Sequence, residues 1–396
     1  MLDIKLEQQY IIDLVSYTLF DTPFDFEKYG NKELDYKYIA TKIHEQKMEG
    51  LVYHAMSMLK INNNLFTHLH SRYMSILYTC VQQENEYQEL VKLFEANNID
   101  YVPLKGTFMK HHYPKMEMRL MGDIDVLIPF RKKKTIHKLL LENNFTTKKT
   151  DYISTHHIIY QKGTFCTFEM HYNLLDVDCK GSKIINKIAW ENSNNHQFKS
   201  EFNIVYLLAH YHHHFDNGGS SLKPLIDIGL FLLNENINYE LLKELLEKTG
   251  YYDFYNKCVN VFNKLFNKNI FIYEQKISDK DILEIIEVSF KYGDFGIGLE
   301  NDYTKNYMLK KISQNEKNSF FAKINFAFSR IFISYDEFKR INKTIKYCPI
   351  LLPFGWIARF FKYFFSKRKM REKISKINNI SEEEIQKYKV ISEFLR

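Results

Sequence analysis

Cysteine is sparse in this sequence and never paired. Cys80, Cys166, Cys179, Cys258 and Cys348 lie far apart, with no C-x-x-C among them. That argues against both a thiolate zinc site and a disulfide scaffold, and a reducing cytoplasm is the economical compartment. No apolar run approaches the roughly 20 residues of a membrane-spanning helix. The opening stretch, MLDIKLEQQYIIDLV, lacks the basic start and apolar core of a signal peptide. Repeats and low-complexity linkers are absent. So is any module that interleaves basic and aromatic residues on one face, which argues against nucleic-acid binding and a template-directed polymerase. The expectation is a cytoplasmic protein, either free or peripheral on the inner membrane face.

What is present is moderate in charge and rich in aromatics. The formal charge of +7 suits a phosphate-bearing partner without demanding one. Tyr and Phe (28 and 32) carry most of the 16% aromatic content. At 396 residues the chain is long enough for two or three domains of about 150 residues each.

Texture divides the chain into four. Residues 1–95 form an N-terminal helical region: LEQQYIIDLVSYTLF, LDYKYIATKIHEQKMEGLVYHAMSML and LFTHLHSRYMSILYTCVQQENEYQELVKLFEANN all space apolar residues by three and four. Residues 96–180 change character. IDYVPLKG is β-prone, TFMKHHY is a brief helix stopped by Pro114, and DIDVLIP is a strand stopped by Pro129. RKKKTIHKLLLENN is an amphipathic helix, and TTKKTDYISTHHIIYQKGTFCTFEMHYNLL reads as a hairpin turning at Lys162-Gly163. The predicted product is a small mixed β-sheet with helices on one side, making the fold class α+β. Residues 181–317 read as a helical bundle, and 318–396 as a basic, aromatic helical tail.

The chemistry gathers in the second region. Strand alternation points Asp123 and Asp125 to one face and Ile124 and Val126 to the other. Two adjacent carboxylates repel unless a cation stands between them. Mg²⁺, with Mn²⁺ as a substitute, fits such oxygen ligands plus substrate phosphates. An isolated D-x-D is more often a water-exposed pair at a strand end with no ligand, so the neighbours decide. Alternation in TFCTFEMHYNLL groups Phe165, Thr167, Glu169 and His171 against Cys166, Phe168, Met170 and Tyr172. If this strand lies beside DIDVLI, Glu169 completes a cluster able to hold two metals ~3.5–4 Å apart for in-line attack on phosphorus. Gly106-Thr107, at a helix start, offers a phosphate cradle, with Thr107 either capping the helix or touching a phosphate oxygen. Lys105 stands beside it as a point charge, and Arg119 is either a further phosphate ligand or a surface arginine.

LKGT, YP, R, GDIDVLI and FEMHYNLL, taken in order, resemble the nucleotidyltransferase superfamily that includes DNA polymerase β and the antibiotic-modifying nucleotidyltransferases. More narrowly, L-K-G, R-x-x-G-D-I-D-x-L and E-x-H are similar to a bacterial family of uncharacterised nucleotidyltransferases, many found among polysaccharide-biosynthesis genes. The resemblance is specific over about residues 100–175 and looser through AHYHHHF and LKPLIDIGLFLL. It implies that Asp123 and Asp125 bind both metals, that Glu169 holds the catalytic one and helps deprotonate the acceptor, and that Gly106 and Thr107 cradle the β- and γ-phosphates of an NTP. Lys105-Gly106-Thr107 departs from the superfamily's usual Gly-Ser. The implied reaction moves a nucleoside monophosphate from an NTP to a hydroxyl or phosphate acceptor, such as a glycan or a lipid-linked precursor. Two alternatives stay open: transfer of a phosphocholine-like substituent onto surface polysaccharide, or a catalytically silent nucleotide-binding module.

Other features carry less. His210 and His214 share a helix face at i, i+4, but the pattern lacks the Glu of a two-histidine metal motif and shows no third ligand. They are expected to line the cleft. Lys223 and Asp227 are expected to pair at i, i+4, and the resemblance makes both cleft residues. His171, two after Glu169, should face the metals. ILLPFGWIARFFKYFFSKRKMREK has the make-up of a helix lying in a membrane interface, or of one packed on the bundle with a basic end.

Overall fold

The structure is a computed structural model. It describes residues 3–147, 156–164, 166–217, 219–275, 277–294, 349–365 and 382–396, with positions 332, 335 and 338 between them. The chain opens with helices α1 (Leu6–Phe20), α2 (Glu27–Gly30), α3 (Tyr36–Glu45), α4 (Glu49–Met58) and the long α5 (Asn64–Ala96). The apolar stretch expected from Leu34 to Leu59 is two helices rather than one. Lys47 takes a left-handed backbone (φ +56°) between α3 and α4. Beside it the buried Gln46 side chain donates to Ser289 O (2.7 Å) and accepts from Leu222 N (2.9 Å). Those two distant contacts fix a turn that local periodicity could not announce. Helix α5 ends where expected, at Asn97, with Asn98 left-handed (φ +49°).

A five-stranded mixed sheet follows. Its strands are β1 (Val102–Pro103), β2 (Ile124–Leu127), β3 (Thr146–Thr147), β4 (His157–Lys162) and β5 (Cys166–His171), in the spatial order β1-β2-β5-β4-β3. Helix α6 (Lys105–Met109) joins β1 to β2, and α7 (Lys133–Glu142) joins β2 to β3. β4 and β5 form the expected hairpin, Lys162 paired with Cys166 and Gly163 at φ +64°. Residue 165 and residues 148–155, which the hairpin reading also covered, lie outside the described residues. One sheet face is apolar. Ile124, Val126, Phe168 and Met170 pack against Tyr87, Leu90 and Phe94 of α5 and Ile136 and Leu140 of α7. The helices therefore cover one side, and the alternating polar positions of β2 and β5 are left to face the other.

That other side is closed by helices α8 (Ser182–Ile188), α9 (Ser200–Asp216), α10 (Lys223–Asn234), α11 (Tyr239–Thr249), α12 (Tyr252–Phe266) and α13 (Asp279–Tyr292). A short ribbon, β6 (Ser193–Asn194) with β7 (Gln197–Phe198), precedes α9. These helices share a single apolar cluster with α1, α3 and α4, and Tyr388, Ile391 and Phe394 of the last helix join it. The architecture is thus α+β, a small mixed sheet flanked by helices from both ends of the chain. Two further helices are α14 (Leu352–Phe365) and α15 (Glu382–Leu395). On and just before α14, Ile350, Phe354 and Phe361 are 82%, 67% and 51% exposed, while Trp356 packs with Phe338 and Tyr335. The basic run 366–373 lies outside the described residues. Among the described residues no helix is long and apolar enough to cross a membrane.

Candidate active site

Parallel pairing of β2 with β5 puts Asp125 directly opposite Glu169. Asp123 lies two residues before Asp125, at the strand's entrance. His171 follows Glu169 on the same face, and its Nε2 sits 2.8 Å from Asp125 Oδ1 and 3.4 Å from Glu169 Oε2. Lys105 Nζ donates to Asp125 Oδ1 at 2.8 Å. The ligand atoms of Asp125, Glu169 and His171 lie within 4.8 Å of one another. The sequence grouping of Asp123, Asp125 and Glu169 is therefore modified: all three line one cavity, but the tight group contains His171, and Asp123 is not part of it.

The turn before the acidic strand differs in detail from the expected cradle. Helix α6 begins at Lys105, which itself adopts the left-handed conformation (φ +46°). Gly106 is needed for close approach: a Cβ there would meet the Met121 side chain at 2.9 Å. Thr107 neither caps the helix, whose N-cap is Leu104 with no side-chain bond, nor lines this cavity. It is buried, and its hydroxyl oxygen accepts the Asp125 amide at 3.0 Å, holding the acidic strand in place. Its contribution is to position Asp125.

Electrostatics separate the two aspartates. Burial and the charge of Asp125 push the Asp123 carboxyl up to about 7. Burial would raise Asp125 as well, but Lys105 and His171 outweigh it and hold that carboxyl well below the usual range. Glu169 is likewise lowered, burial being overcome by His171 and Lys105. His171, despite its burial, is raised by its bonds to Asp125 and Glu169. A group of acids in which one is driven toward protonation is short of positive charge. The donor set of hard carboxylate oxygens fits a divalent cation of the Mg²⁺ type.

These acids form the floor of a cavity of about 700 Å³ whose far wall comes from α9, α10 and the segment after α13. Arg119 is not a surface residue. It is buried, and its Nε and Nη2 fork onto Asp227 Oδ1 and Oδ2 at 2.7 and 2.6 Å. The Tyr113 hydroxyl adds a third bond to Asp227 at 2.8 Å. The expected Lys223–Asp227 pair is therefore absent, because a planar guanidinium matches both carboxylate oxygens at once. Lys223 turns instead to Asp294, 3.0 Å away. His210 and His214 do share a face, their Nε2 atoms 2.9 Å apart, and line the cavity as expected. Burial keeps both neutral, His214 as low as about 3.

Several lining residues had escaped the sequence reading. Asp294 follows Gly293 at the end of α13 and pairs with a lysine 71 residues earlier, so no local spacing marks it. Lys47 reaches the cavity only because of the break between α3 and α4. His157 was within reach of strand logic, since it opens β4 opposite His171.

Residues 32–267, more than half of the chain, match the family described as uncharacterised nucleotidyltransferases. The chain belongs to that family. The match spans the sheet, the acidic cluster, Lys105-Gly106 and the histidine-bearing α9, and stops before Asp294. Searches of the curated proteins and of the solved structures found no match. As a member of this nucleotidyltransferase family the protein has a nucleotide as its implied substrate, and the divalent metals that nucleotidyltransferases in general use agree with the carboxylate floor.

Proposed function

We propose that this nucleotidyltransferase moves a nucleoside monophosphate from an NTP to a hydroxyl or phosphate acceptor with release of pyrophosphate. The observation that carries this reading is the register that sets Asp125 opposite Glu169 on adjacent parallel strands, with Lys105 Nζ bonded to Asp125. Asp123, Asp125 and Glu169 would hold divalent cations, which when bound polarise the α-phosphate and neutralise charge developing on the leaving pyrophosphate. Charge supports this assignment. The cavity is lined by six carboxylates and four lysine or arginine cations, the histidines being largely neutral, so without metal it repels a polyphosphate. Two divalent ions reverse that sign. Lys105, which neutralises Asp125, is also placed to hold phosphate oxygens. The acceptor oxygen bonds to the α-phosphorus as the bond to the bridging oxygen breaks. Its proton passes to Glu169 or to water, and pyrophosphate departs.

The acceptor class we favour is a glycan or a lipid-linked glycan precursor, with the exposed aromatic side of α14 resting on an anionic membrane surface. Residues 338–371 contain ten basic residues and no acidic one, the charge complement of such a surface. The test is a product assay with Mg²⁺ or Mn²⁺, each labelled NTP and cell-envelope glycan extract, alongside Glu169→Gln. Pyrophosphate and a labelled adduct, both absent from the variant, are expected. Metal-dependent nucleotide binding with no pyrophosphate from any NTP would overturn the reading in favour of a phospho-substituent transferase using an activated donor.

A further inference from the structure

We propose that His156, His157 and His171 form a binding site for a borderline transition-metal cation such as Zn²⁺, beside the oxygen site that the carboxylates offer Mg²⁺. The three imidazoles each present a ligand atom within 4.8 Å of the others. His157 stands opposite His171 in the β4–β5 register. His156, one residue earlier, is fixed by the Tyr172 and Asn173 amides, which donate to its carbonyl at 2.8 and 3.2 Å. His157 Nδ1 and His156 Nε2 face each other at 2.8 Å. Two nitrogens on one tetrahedral zinc, at ~2.0–2.1 Å from the ion, stand about 3.3 Å apart, so a small opening of this pair admits the cation. Carboxylates stand at the opposite ring nitrogens, Glu169 Oε1 3.7 Å from His157 Nε2 and Asp176 Oδ2 3.8 Å from His156 Nδ1, where they orient the two rings and raise their basicity toward a metal. Imidazole favours Zn²⁺ and its neighbours in the first transition row, whereas Mg²⁺ keeps to oxygen. The other histidine pair, His210 with His214, belongs to no such group of three among the described residues.

His171 is common to both groups, since its Nε2 also contacts Asp125 and Glu169. Zinc binding is a property of the apo-protein and stands whether or not nucleotidyl transfer is found. The experiment is a competitive Zn²⁺ titration of the full chain against a chromogenic chelator, with and without excess Mg²⁺, supported by the visible absorption of the Co²⁺ form. One Zn²⁺ per chain is expected, insensitive to millimolar Mg²⁺ and unchanged in Asp123→Asn. His156→Ala with His157→Ala should weaken it by more than the ~10–100-fold that loss of a supporting partner costs. The single variant His157→Gln should weaken it too, while circular dichroism shows each variant folded. Zinc binding that survives both histidine variants, or that Mg²⁺ or Asp123→Asn abolishes, would overturn the assignment.

Discussion

Asp123 and Asp125 carry the same charge two residues apart, yet their removal should change stability in opposite directions. Asp123 is raised from 3.8 to about 7. At about 1.36 kcal/mol per unit the shift corresponds to roughly 4 kcal/mol held against the fold once the group is ionised, and water reaching this half-buried carboxyl brings the expectation to about 2 kcal/mol. The sign follows from linkage. A folded-state pKa above the unfolded one means that stability is full below pH ~3.8 and is lost as pH rises through ~7. Asparagine cannot ionise and keeps that stability. Asp123→Asn should therefore unfold at higher urea than the wild type at pH 8 in chelator, with the gap opening between about pH 4 and 7 and flat above. Mg²⁺ should close it by stabilising only the wild type. Asp125→Asn removes the counter-charge of the partly buried Lys105 and the fully buried His171, and should cost about 3–5 kcal/mol. If Asp123→Asn is no more stable than the wild type at pH 8 without metal, the electrostatic account of the site is wrong.

Other outcomes follow from the same geometry. Asp227→Ala leaves the buried Arg119 guanidinium unpaired and should cost about 3–5 kcal/mol in chemical denaturation. Arg119→Met combined with Asp227→Leu should recover most of that loss. Mg²⁺ affinity, measured by calorimetry, should rise about tenfold per pH unit below ~7 and level off above it, because binding displaces the Asp123 proton. Phe354→Ser with Phe361→Ser should reduce co-sedimentation with anionic vesicles while sparing the thermal transition, since both rings are already exposed. Vesicle binding unchanged by that pair would remove α14 from the membrane.

The parts of this structure legible in the sequence are those fixed by neighbours in the chain. Helix α1 occupies the very stretch its periodicity marked, Leu6–Phe20. The acidic face was legible because alternation is a property of every strand, and only the adjacency of β2 and β5 remained to be seen. Features fixed at long range were not legible. Lys223 and Asp227 have the spacing of a helix pair, yet each found a better partner 71 and 108 residues away. Thr107 has the residue type of a cap but serves the amide of Asp125, 18 residues on. The break at Lys47 depends on an amide side chain whose partners lie 176 and 243 residues along the chain.

The two apolar clusters differ in how much chain they need. The cluster behind the sheet draws only on residues 87–170, so it can condense as soon as that stretch exists. The helical cluster joins α1 near the start of the chain to α12, α13 and α15, and its loops close late because loop closure must precede the contacts that reward it. During synthesis, then, the carboxylate strands should be in register while α1, α3 and α4, packed on one another and on α5, still lack the C-terminal helices that cover their remaining faces. The floor of the cleft is built before its far wall arrives. Pulse-labelled hydrogen exchange during refolding should protect the amides of β2 and β5 before those of α1, and the reverse order would show that the helices nucleate without the sheet.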